Sequence, residues 1–235
     1  MKTNHPMNGA TAVAKERVPI FDLPHKGIRN ALSQLSLLAG QTDYTTFASV
    51  DKLYKLGKMV FRFLALHALD ENEVTFKHLD TRVPGATEHE RDDHERLEAL
   101  QYTLEQQLDN LHMLASEGQD VSEQGARFYQ LFSELHGMHL AHMLEEEREI
   151  QPQIYAHFSD EEILEQRKEI IGKNKPEDLL IMWRFILPAF SQSMRIGLLK
   201  AFKGGMPEPA FAAIMTTLRE VLSDSDMKHL ESALA

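Results

Sequence analysis

A lone histidine followed at a distance by His-x-x-x-Glu occurs twice in this chain. His25 lies 42 positions before the His67/Glu71 pair, and His94 lies 48 positions before the His142/Glu146 pair. Residues four apart share one face of a helix, displaced by about 6 Å along its axis, so each pair can grip one ion if it is helical. A single such pair means little: with 12 histidines and 36 acidic residues in 235 positions, about two arise by chance. Five are present: His67/Glu71, His89/Asp93, His94/Glu98, His142/Glu146 and His157/Glu161. The register of the repeat, rather than any one pair, separates signal from accident.

The rest of the chain reads as helices with the periodicity such a repeat requires. A first helix is expected from about Asp22 to Gly40, with His25 in its first turn and Asp22 as its cap. A second pattern runs from about Thr46 to Asp80, carrying Leu53, Leu56, Val60, Phe63, His67, Glu71 and Val74 near helical spacing, until Pro84 and Gly85 break it. Thr87 and Glu90 have the spacing of a capping box before a third helix through His94 to about Ser116. Ser122 is placed to cap a fourth that ends near Phe158. Four helices, three short connections and no β-type alternation predict an all-α, up-down-up-down four-helix bundle.

On this reading residues 1–20 are a mobile N-terminal arm, 21–158 the bundle and 159–235 a C-terminal helical extension. Within the extension Ser159 and Glu162 form another capping-box candidate, Pro176 suits a first helical position, and "KGGMPEP" separates two helical stretches. Its apolar residues predict that it packs on something: the bundle itself, or a second copy in a homodimer through the C-terminal helices.

Composition narrows the chemistry. A net charge of −11 argues against nucleic acid or anionic membrane as a partner, since both are bound through basic surface. The absence of cysteine excludes disulfides, zinc-thiolate sites and iron–sulfur clusters, so any metal must be held by histidine and carboxylate. No run of 18 apolar residues occurs, and the N-terminus has no continuous apolar segment, so a cytoplasmic location is the default expectation.

In a pseudo-twofold bundle the repeat brings four imidazoles and two carboxylates to one level of the core. Such a set suits two closely spaced first-row ions, with His25, His67, His94 and His142 as terminal ligands and Glu71 and Glu146 as bridges. The expected cofactor is a non-haem pair of iron ions with an oxo or hydroxo bridge, zinc or manganese being the alternatives. Six protein ligands for two ions leave coordination positions open to a small diatomic ligand, O2 or NO.

The segments "PHKGIRNAL", "HALDENE", "DDHERLEAL" and "HMLEEEREIQP" carry a resemblance to the hemerythrin-like, HHE cation-binding domain family, over about residues 21–158. The resemblance implies a di-iron four-helix bundle held by the same six residues, whose relatives bind oxygen, sense iron or oxygen, or act in nitrosative-stress responses. "HMLEEEREIQP" in particular is similar to the second half-site of iron-sensing relatives. Respiratory hemerythrins present His-x-x-x-His on the third helix; here the position four after His94 is Glu98. That difference points away from reversible oxygen carriage and toward oxidation or sensing.

Three functions remain in view: binding or sensing of a diatomic ligand or iron, an enzyme of oxidative or nitrosative stress or of iron-centre repair, and a structural protein stapled by metal. His139, one turn before His142, is expected as a packed histidine with a place beside the metal as the alternative, and Glu98 is expected to face solvent. His157 and Glu161 span a predicted helix break and are expected to be unrelated. The methionines, interleaved with apolar residues, read as core filler.

Overall fold

Helical spacing of apolar residues is followed closely by the backbone. In the computed structural model, which describes residues 17–235, α1 spans Asp22–Gln41, α2 Phe47–Asp70, α3 Phe76–Arg82, α4 Glu88–Ser116, α5 Ser122–Glu145 and α6 Gln151–His157. Single π-helical turns, Glu71–Thr75 and Glu146–Ile150, join α2 to α3 and α5 to α6, so each pair is one continuous rod. No strand occurs among the described residues. The rods α1, α2, α4 and α5 each pack against two of the others in a closed ring, α1 on α2, α2 on α4, α4 on α5 and α5 on α1.

The apolar residues of this ring fall into two clusters, with the histidines and glutamates between them. The larger runs from Ile28, Leu32 and Leu35 of α1 through Leu53, Phe61 and Phe63 of α2 to Leu104 and Leu108 of α4 and Phe128 and Phe132 of α5. The smaller holds Ile20, Phe21, Phe76, Leu79, Ile150, Ile154, Phe158 and Ile163. A polar layer thus sits between two dry ones. Such a layer is costly unless its groups find partners or an ion.

Local chemistry at the helix ends differs in part from expectation. Ser159 and Glu162 do form the reciprocal capping box at the start of the next helix, α7 (Asp160–Lys173). Thr87 does not cap α4; its hydroxyl donates to Asp80 Oδ2 at 2.7 Å, tying the α3–α4 turn together. Ser122 is the first residue of α5 rather than its cap, and Asp120 accepts from both its N–H and its hydroxyl. Gly118 supplies the left-handed backbone (φ +80°) that ends α4.

Residues 17–20 are pinned, not mobile. Arg17 donates to Asp160 Oδ1 and to the Tyr155 and Phe158 carbonyls, and the Ile20 N–H donates to Gln151 Oε1. The mobile arm expected over residues 1–20 therefore does not extend over residues 17–20, and residues 1–16 lie outside the described residues.

Beyond α7 follow α8 (Pro176–Ile186), a 3-10 turn at Leu187–Ala189, α9 (Gln192–Gly205), α10 (Glu208–Val221) and α11 (Asp224–Leu234). The last three close over Leu199, Ile214, Leu218 and Leu230, a small core completed by Leu187 and by Leu180 and Trp183 of α8. The extension packs back on the bundle through α8, which lies on α1 and α2. Phe185 stacks on Phe63 with centroids 5.9 Å apart, Asp178 pairs with Arg62, and Asn30 donates to the Phe185 carbonyl. Gly27 permits the approach: a Cβ there would stand 2.5 Å from Ile186 Cγ1 and 3.1 Å from its Cα.

Candidate metal centre

The structure brings His25, His67, Glu71, His94, His142 and Glu146 together in the polar layer, each at most 4% exposed. They form two overlapping groups whose facing atoms lie within 4.8 Å of one another: His25, His67, Glu71 and Glu146, and His94, His142, Glu71 and Glu146. Both carboxylates belong to both groups. The geometry within each rod is the local i, i+4 spacing, with His67 Nε2 3.1 Å from Glu71 Oε2 and His142 Nε2 3.3 Å from Glu146 Oε1. Packing adds the cross-rod approaches, His25 Nε2 to Glu146 Oε2 at 3.3 Å and His94 Nε2 to Glu71 Oε2 at 3.4 Å.

None of the four Nε2 atoms and none of the four carboxylate oxygens makes a hydrogen bond to another protein group, although all are buried. That is a heavy cost for an ordinary core. Ligand atoms held about 2.0–2.2 Å from a common ion stand about 3 Å from one another, close to the separations seen here. Each group is therefore suited to hold a metal ion.

At His25 and His94 the outward-facing nitrogens explain why the Nε2 atoms are free. His25 Nδ1 donates to Glu147 Oε1 at 2.8 Å, and Glu147 is itself held by Arg29 in a forked pair at 2.7 and 3.1 Å. His94 Nδ1 donates to Asn72 Oδ1 at 3.1 Å. A proton fixed on Nδ1 leaves the Nε2 lone pair pointing inward. Asp93 Oδ2 stands 3.8 Å from His142 Nδ1, a charge contact without a hydrogen bond. Phe21 and Phe76 stack on His25 and His94, with centroids 5.0 and 5.5 Å apart, and hold the rings in place.

Asn72 and Glu147 each directly follow a carboxylate of the layer, so the repeat extends one position beyond what the sequence reading used. The π turns account for this. The Glu71 carbonyl accepts from the Phe76 N–H and the Glu146 carbonyl from the Gln151 N–H, five residues on, which inserts one residue into the helical register. The side chain after each glutamate is thereby turned toward the neighbouring rod. The pairs Glu71-Asn72 and Glu146-Glu147 were visible in the sequence, but nothing local marks a π turn.

Electrostatics within the layer are uneven. Burial pushes His67 down to about 4, whereas at His25 the carboxylates of Glu146, Glu147 and Glu71 outweigh burial and hold the ring well above its usual value. His142 is likewise raised, by Glu146 against burial. Burial opposes ionisation of Glu71 and Glu146, yet the surrounding imidazoles hold both below the ordinary carboxylate range. Burial also opposes ionisation of Glu147, but His25 and Arg29 bring it to about 2.

Of the other residues singled out in the sequence, His139 is buried, its Nε2 has no hydrogen-bond partner, and it faces a crevice shared with His67, His94 and His142. It belongs to neither ligand group. Glu98 is exposed at the rim of the same crevice. His89, Asp93 and Glu145 form a separate, more exposed cluster. His157 ends α6 before the break at Ser159, so no helix joins it to Glu161.

Among the described residues no helix is long and apolar enough to cross a membrane. No curated protein and no solved structure matches the chain. A family model does match, the hemerythrin HHE cation binding domain, over residues 17–154, which takes in α1 to most of α6 and every residue of the polar layer. The chain belongs to the hemerythrin HHE cation-binding family.

Proposed function

We propose that the polar layer holds two iron ions, one between His25 and His67 and one between His94 and His142, bridged by Glu71 and Glu146, and that this centre binds or senses O2 or NO. The observation that carries the reading is the set of buried, unbonded Nε2 and Oε atoms in two groups that share both carboxylates. Iron, when bound, supplies one-electron redox chemistry and coordination positions for a diatomic ligand.

The chain's own part is to keep the donors oriented and dry. Glu147 and Asn72 hold the Nδ1 protons of His25 and His94 and so present Nε2 to the ion. Protons on His25 and His142 compete with metal, so uptake releases them and weakens in acid. With Glu98 exposed, His94 is the one α4 residue in the two groups, one histidine fewer than a His-x-x-x-His third helix supplies, and the more open site this leaves is better matched to sensing.

The test is iron content after anaerobic loading with ferrous salt, followed by the optical spectrum on admitting oxygen. Two irons per chain and an oxygen-dependent charge-transfer band, with both reduced in His142→Ala, are expected. Iron binding indifferent to His142 overturns the reading.

A further inference from the structure

Between the bundle and the first helices of the extension lies a cavity of about 110 Å³. Ile170 and Ile171 of α7 and Leu179, Met182 and Trp183 of α8 form its outer walls, with Phe21 opposite. Its inner wall includes His67 and Glu71, so it leads from the extension to one half of the metal centre. A wholly apolar cavity of about 150 Å³ stays dry and accepts benzene, so this space suits a compact apolar body of similar or smaller size.

Asp70 interrupts the apolar lining, as do His67, Glu71, Thr75 and Arg167. Asp70 is buried at the cavity wall, and its Oδ1 accepts from Asn174 Nδ2 at 2.8 Å. Its Oδ2 is buried with no hydrogen-bond partner in the protein. A carboxylate oxygen so placed is satisfied by a ligand's donor. The two carboxylates of Asp70 and Glu71 outnumber the one guanidinium at the wall, Arg167, so an anionic ligand is disfavoured.

We propose that this cavity binds a small, neutral, apolar molecule carrying one hydroxyl, with the hydroxyl on Asp70 Oδ2 and the apolar body between α7 and α8. That the ligand then sits beside a metal ion rests on the di-iron reading; the cavity's occupancy does not.

Phenol and toluene, alike in size and different in the hydroxyl, are the probes. Calorimetric titration of the metal-free full chain should show phenol bound about tenfold more tightly than toluene. Asp70→Asn keeps the oxygen facing Asn174 and should erase that preference while leaving toluene unchanged. Leu179→Trp fills the cavity and should abolish binding of both. Ile171→Trp, at a position 48% exposed and so free of core-packing cost, should do the same. No binding by the wild type, or binding untouched by both tryptophan variants, overturns the site; equal affinities for the two probes overturn the role of Asp70.

In the iron-loaded chain, phenol should shift the charge-transfer band in the wild type and not in Ile171→Trp. Phenol binding and iron uptake without that shift overturn the placement beside the metal. Phenol binding without iron uptake overturns the di-iron reading and leaves the cavity site standing.

Discussion

The two halves of the metal layer have the same inward face and different surroundings. Each offers two imidazoles and shares both carboxylates, but His25 leans on the ionised Glu147, braced by Arg29, whereas His94 leans on the neutral amide of Asn72. The extension deepens the inequality, because α8 packs on α1 and α2 and so covers only the His25/His67 half. A sequence repeat can thus fix what an ion touches while leaving the field around it free to diverge. A carboxylate behind a ligand histidine makes it a stronger donor, so on the proposed di-iron reading the ion in the His25/His67 half should be held more tightly.

The sharpest break of the comparison removes what the halves share. Glu146→Ala should reduce iron from two per chain to less than one, since each ion loses a bridge, while His67→Ala and His142→Ala should each retain about one. Metal analysis after gel filtration reads all three. Loss of both ions in either histidine variant would mean the halves do not bind independently.

Next in size, Glu147→Gln should weaken the tighter ion about 10- to 100-fold, and Asn72→Asp should strengthen the weaker one, bringing the two constants together. Competition with a calibrated chelator measures both. Two constants already equal in the wild type would contradict the proposed asymmetry.

Acid separates His25 and His142, which carboxylates hold above the usual value, from His67 and His139, which burial holds below it. Burial and the neighbouring His142 hold His139 down to about 3, from an ordinary value of 6.5. Because its folded value lies below its unfolded one, the unfolded chain binds the proton first. Stability is therefore full above about pH 6.5 and falls as pH drops toward 3. At pH 5 the loss is about 2 kcal/mol. His139→Leu should remove it from urea titrations of the metal-free protein and should leave iron content unchanged; loss of an iron would make His139 a ligand.

The smallest effect concerns the one-sided cover. Gly27→Ala places a Cβ against Ile186 and should cost about 1 kcal/mol, visible as a lower Tm with both irons retained. No change in Tm would mean that α8 shifts freely on α1.

How much of this was legible beforehand follows from distance along the chain. The i, i+4 pairs and the capping box at Ser159 and Glu162 could be read directly, because helix geometry sets them within one or two turns. Thr87 and Ser122 misled, since a capping residue type says nothing of an aspartate nearby that binds it instead. Glu147 was missed because its partner His25 is 122 residues away.

The sequence by itself determined the helical class, the residue types of the polar layer and their spacing along each rod, for these depend only on the pitch of a helix and the period of its apolar face. Only the tertiary structure decided which rods are neighbours, that a π turn starts at each carboxylate of the polar layer, which groups hold the outer nitrogens, and that α8 closes one half and not the other. Those outcomes depend on how whole helices pack, and packing sums contacts between residues far apart in the chain.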